Sequence, residues 1–85
     1  MRSVYVYLPT AEVVQDFVEQ ISELKGNVDL IHENYILDAR SLMGILSLDL
    51  SKPIRLDMEQ DNEKNINHIK KFIVDAPEKE NTDGR

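Results

Sequence analysis

The residues here whose types could do chemistry are two histidines, a serine before an apolar run, and a ladder of carboxylates. His32 and His68 are far apart in sequence and form no short-spaced metal pair. An imidazole can act as a nucleophile, but a phosphoryl acceptor needs an anion site, typically a helix N-terminus completed by arginine. His32 falls beside an expected hairpin turn and His68 mid-helix near Lys64, so both read as ordinary surface or boundary histidines. Asp57, Glu59, Asp61 and Glu63 alternate in the manner of calcium ligands. However, a calcium loop begun at Asp57 would need Gly at its sixth position and Glu at its twelfth, and these are Asn62 and His68. A solvated strand face running into an acidic helix start explains the carboxylates better. Ser, His and Asp are all present, yet there is no G-x-S-x-G turn, which excludes an independent hydrolase of that kind. No cofactor or metal is implied.

Ser41 belongs to "ARSLMGILSL", residues 39–48. Its plain role is the N-cap of a short helix, worth about 1 kcal/mol. A helix this short cannot bury all of Leu42, Met43, Ile45 and Leu46, because about 100° per residue sets Met43 and Ile45 on opposite sides. Some apolar atoms must therefore face solvent. Either the following loop and the tail cover them, or they form a partner-binding patch, for which the adaptable thioether of Met43 is well suited.

The elements that hold these residues follow from pattern. Val4–Tyr7 alternates strand formers and stops at Pro9. Thr10 reads as an N-cap, followed by Val13, Val14, Phe17, Val18, Ile21 and Leu24 on one helical stripe, with Gly26 closing the helix near residue 25. Residues 27–39 read as a hairpin turning at Glu33-Asn34, where Asn tolerates positive φ. After the short helix, Ile54, Leu56 and Met58 alternate inward with Arg55 and Asp57 outward. Asp61 or Asn62 then caps a final helix with Ile66, Ile69, Phe72 and Ile73 on its stripe and Lys70 and Lys71 in its last turns. Residues 75–85 are polar and aperiodic, a mobile tail to a domain spanning 1–74. The order β-α-β-β-α-β-α suits a two-layer α+β sandwich with the helices on one face, with a ferredoxin-like arrangement as the alternative.

The 85 residues make one small domain without cysteine, so disulfides and thiolate metal sites are excluded. The net charge of −6 argues against nucleic-acid partners and anionic membranes. No apolar run approaches membrane-spanning length, and "VYVYL" is too short for a secretory segment. A cytoplasmic protein is the expectation.

At "LDARSLMGILSL", residues 37–48, the chain resembles the HPr phosphocarrier proteins of the bacterial sugar phosphotransferase system. Arg40 stands where that family usually has lysine, Ser41 matches its regulatory serine, and 42–48 follow without a gap. "QDFVEQISEL" is similar to its first helix, and the element order matches through about residue 74. The resemblance implies an open-faced sandwich: a four-stranded antiparallel sheet with three helices on one face. It also implies protein partners binding through Arg40, Leu42, Met43, Leu46 and Ser47, and a bifunctional serine kinase/phosphorylase acting at Ser41.

The departure lies at the first helix. The family carries its phosphate on a histidine in a Gly-Leu-His-x-Arg-Pro-like loop, where this chain has "YLPTAEVV". Thr10 falls near the histidine's place, Glu12 near the arginine's and Val13 near the proline's. Thr10 cannot form a phosphoramidate, and Glu12 places a negative charge where the phosphate would sit. The sequence thus reads as a non-enzymatic regulatory module that binds proteins, without histidine transfer. The alternatives are a true phosphocarrier with a divergent loop and a small-ligand-binding ferredoxin-like domain.

Overall fold

The computed structural model describes residues 2–77. Along the chain come β1 (Arg2–Val6), α1 (Ala11–Ile21), β2 (Val28–His32), β3 (Tyr35–Asp38), α2 (Leu42–Leu46), β4 (Ile54–Met58), α3 (Glu63–Ile69), a 3-10 turn over Lys70–Phe72, and β5 (Ile73–Val74). They form one sheet in the order β3-β2-β4-β1-β5, with every pairing antiparallel. A ferredoxin-like sheet would place its third strand between the first two. Here β4 fills that gap, which removes the ferredoxin-like fold.

The sheet has five strands rather than the expected four. Ile69, Phe72 and Ile73 fit helical spacing, so the pattern alone extends the last helix too far. In fact α3 stops at Ile69, the chain tightens through Lys70–Phe72, and Ile73 turns extended at φ −74, ψ 134. Ile73 and Val74 then pair with Val6 and Tyr5, and the Tyr7 amide donates to the Phe72 carbonyl at 3.0 Å. Two β-branched residues gain more by satisfying the open edge of β1 than by another helical turn. Of the polar segment expected from residue 75, positions 78–85 lie outside the described residues.

Two smaller corrections concern backbone conformation. The first helix ends at Ile21, not near 25, although Leu24 stays buried after it, its amide donating to the Ile21 carbonyl at 2.9 Å. Gly26 does adopt φ +81, but in the loop into β2 and not as a helix cap; a Cβ there would meet the Gln60 side chain at 3.0 Å. In the hairpin turn the positive φ, 54°, falls on Glu33. Elsewhere the caps match expectation. The Thr10 hydroxyl accepts from the Val13 amide, and the Asn62 side chain accepts from that of Asn65.

The core lies between the helices and one face of the sheet. Val4, Leu56, Leu30 and Leu37 stand in register across four strands. Val14, Phe17, Ile21, Ile45, Ile69 and Phe72 close over that face. Phe17 and Phe72 meet edge to face, centroids 5.3 Å apart at 87°.

The opposite face carries two rows. One is Ser3–Asp57–Asp29–Asp38 and the other Val74–Tyr5–Arg55–Ile31–Ile36. Arg55 grips Asp57 with two bonds of 2.9 and 3.1 Å, and the Ser3 hydroxyl adds a third at 2.7 Å. The Arg55 hydrogen bonds hold the Asp57 carboxyl below its ordinary 3.8, against a smaller opposing effect of burial and with help from Ser3. A carboxylate lowered in the folded state stabilises the fold fully above the ordinary carboxylate range, and that stability is lost as pH falls through the lowered value. Urea midpoints measured across acidic pH should therefore fall less steeply in Asp57→Asn than in the parent protein.

Candidate functional site

The site is built on two helix starts. At α1 the Thr10 backbone is extended (φ −134, ψ 161). Its hydroxyl accepts from the Val13 amide at 3.2 Å, and its carbonyl from the Val14 amide at 2.9 Å. Thr10, Ala11 and Glu12 are all exposed. One free N–H of the first turn is thus already used by the cap, and Glu12 brings a carboxylate to the positive end of the dipole. This region has neither an imidazole nor an arginine in its sequence.

At α2 each local contact has a clear origin. The Asp38 carboxylate accepts from the Arg40 amide at 2.9 Å, and its carbonyl from the Ser41 amide at 3.0 Å, which turns the chain out of β3. The Ser41 hydroxyl accepts from the Gly44 amide at 3.2 Å. Ser47 finishes the helix, its hydroxyl donating to the Gly44 carbonyl at 2.7 Å. Gly44 explains the gap in the apolar run: a Cβ there would lie 2.8 Å from the Ser41 hydroxyl oxygen and 3.3 Å from a Leu37 methyl. The intrinsic gain of about 1 kcal/mol for Ala over Gly in a helix should therefore be absent from Gly44→Ala. Ser41→Ala should cost about 1 kcal/mol. Denaturant titration of both variants and their double mutant should show non-additive changes, because both act on one cap.

The five-residue α2 divides its apolar side chains as its geometry requires. Ile45 is buried and Leu42 half-buried, while Met43 is 76% and Leu46 36% exposed. The helix packs on α1. Ser41 and Ser47 flank the exposed apolar atoms and are themselves exposed. Just beyond, Asp49 accepts from the Ser51 hydroxyl at 2.7 Å and its amide at 3.0 Å, and these bonds hold its carboxyl below the usual range.

Arg40 is placed differently from the rest of the patch. Its Nη2 donates to the carbonyls of Leu24 and Gly26 at 3.1 and 3.2 Å, and Nη1 lies 3.8 Å from the Asp38 carboxylate. The guanidinium therefore ties the β3–α2 junction to the α1–β2 loop. Sequence offers no signal for such a long-range backbone contact.

His32 and His68 stay apart from both helix starts. His32 ends β2, and the Nδ1 of His68 lies 3.2 Å from the Gln20 side-chain oxygen, joining α3 to α1. Among the described residues no group of three His, Asp or Glu could hold a metal ion, and no helix is long and apolar enough to cross a membrane.

No family model matches the chain, and no curated protein matches it. Its structure is similar to a crystal structure of HPr-C-His from Thermoanaerobacter tengcongensis, with a TM-score of 0.68 and 25% sequence identity, over 84% of this chain and 89% of that one. The fold is therefore HPr-like.

Proposed function

We propose that this chain is a cytoplasmic, non-enzymatic HPr-like protein of the sugar phosphotransferase and carbon-regulation system. In this reading it carries no phosphate on histidine and acts by binding proteins through α2. The observation that carries the reading is the contrast between its two helix starts. At α1, Thr10 caps the helix and Glu12 lies in its first turn, and residues 3–31 contain neither histidine nor arginine. At α2, a capped serine borders exposed Met43 and Leu46.

A phosphoryl group on Ser41 would sit among the N–H groups of the first turn of α2, where negative charge suits the dipole. The fold would persist, and the change would be electrostatic, at the rim of the apolar patch. Ser41 is thus proposed as the switch, with Leu42, Met43, Leu46 and Ser47 as the contact surface and Arg40 as its inner support. The partners proposed are proteins of that system, a serine kinase/phosphorylase among them.

Two phosphorylation reactions test this. Incubation with phosphoenolpyruvate and the first enzyme of the phosphotransferase system should leave no acid-labile phosphate on the protein. A label on His32 or His68 would instead favour the divergent phosphocarrier. Incubation with an HPr serine kinase and ATP should add one acid-stable phosphate, absent in Ser41→Ala; mass spectrometry placing it elsewhere, or finding none, would overturn the switch.

A further inference from the structure

The helix-free face of the sheet has a layout that α2 and its partners do not use. Its second row runs from edge to edge as Val74, Tyr5, Arg55, Ile31 and Ile36. Ile36, on the edge strand β3, is 71% exposed, and Val74 at the other edge is 37% exposed. Arg55 does not break this apolar row. Both of its bonds to Asp57 draw the guanidinium into the neighbouring acidic row and leave its methylene stem in line with the apolar side chains.

Beside Ile31 and Ile36 lies a shallow recess, lined also by Asn27, Asp29, Asp57 and Glu59. It sets two isoleucines against three carboxylates. Arg55 neutralises Asp57, while Asp29 has no ion-pair partner among the described residues. The three acids are not a metal site, since no described group of three could hold an ion.

We propose that this face docks a basic, amphipathic segment of a partner protein. A lysine or arginine of that segment lays its stem on Ile31 and Ile36 and its charged end against Asp29. Charge complementarity selects this occupant over a second copy of the chain. Two such faces packed together would sit about 10 Å apart and bring two unpaired Asp29 carboxylates into one interface between chains of net charge −6. The size also fits a helix. Pro77 lines this face beside Tyr5 and Arg55, so the segment's anchoring ground is the β2–β3 side around Asp29, Ile31 and Ile36, and a helix of about 14 residues, about 21 Å long, spans it with room at both ends. The face lies opposite the helical layer, so it could be occupied together with α2, and its test does not depend on the fate of Ser41.

The full chain, labelled with 15N, can be titrated with a synthetic helical peptide of about 14 residues bearing leucines on one face and lysines along its flank. Amides of Asp29, Ile31, Ile36 and Asp57 should shift saturably while those of Met43 and Leu46 stay still. Ile36→Glu and Asp29→Lys, both on the solvent side of the sheet, should each weaken binding by about tenfold or more. Their unchanged spectra elsewhere would show that the fold is kept. A control peptide with glutamates for lysines should not bind. Shifts centred on α2, affinity unchanged in both variants, or no saturable binding would overturn the proposal. So would sedimentation showing a dimer that Ile36→Glu dissolves, since the face would then close on a second copy.

Discussion

Phe17→Ala is expected to lower stability by about 3–5 kcal/mol, the usual cost of emptying a buried phenylalanine site. Phe17 is fully buried, midway along α1, and meets Phe72 edge to face. Phe72 is held in turn by the Tyr7 amide on its carbonyl and precedes β5. The substitution thus removes the ring that seats both α1 and the 3-10 turn. Domains of this size are stable by roughly 5–10 kcal/mol, so the variant should be partly unfolded near physiological temperature. Urea titration by circular dichroism is the measurement. Phe17→Leu, which keeps most of the volume, should lose less than half as much. Equal losses would mean that the aromatic geometry, rather than the volume, holds this site.

Asn65→Leu is expected to cost about 2–3 kcal/mol even though it adds an apolar side chain to a buried position. Asn65 is the buried polar residue of the described chain, 4% exposed. Its amide nitrogen donates to the carbonyls of Gln60 at 3.1 Å and Lys25 at 3.4 Å, joining the loops before α3 and before β2. Leucine would take both donors away from these part-buried bonds. Asn65→Asp has nearly the same shape and should be worse, because a carboxylate would face two carbonyl oxygens. Thermal melts should rank the parent above Leu and Leu above Asp. The reverse order of the two variants would show that the site is open enough for water to satisfy the carbonyls.

Much of the architecture was legible in the residues, for definite physical reasons. The α1 stripe from Val13 to Ile21 and the alternation of Ile54, Leu56 and Met58 each encode a burial pattern in a local period. The caps at Thr10, Ser41 and Asn62 are equally local, since a side chain there meets an amide three residues on. That some apolar atoms of α2 must face solvent followed from helix length; that they belong to Met43 and Leu46 emerged only from the packing of Ile45 into the core. What escaped was non-local. Ile73 satisfies a helical stripe and a strand equally well, and only the open edge of β1 decides between them. Asn65 reads as one more polar residue on an acidic helix until two distant carbonyls arrive beside it. Arg40 reads as a surface charge, yet its guanidinium is taken by two carbonyls of the α1–β2 loop. Of the candidate site, the placement of Ser41 as a helix cap was readable. The open-face row that Ile31 and Ile36 share with Tyr5 and Val74 was not, because it exists only once the registers are set.

The pairing of β1 on both sides has a consequence for how the molecule is made. Of the described strands β1 comes first along the chain, yet its neighbours in the sheet are β4 and β5, which come last. Until Val74 emerges, β1 can find at most one of its partners, while α1 and the β2–β3 hairpin form from local contacts. The sheet is therefore completed after synthesis, as a late, long-range closure of the kind that slows folding. Until β4 is made, Val4 and Val6 have no strand beside them, so through most of the domain's synthesis β1 is the element most open to chaperones and proteases.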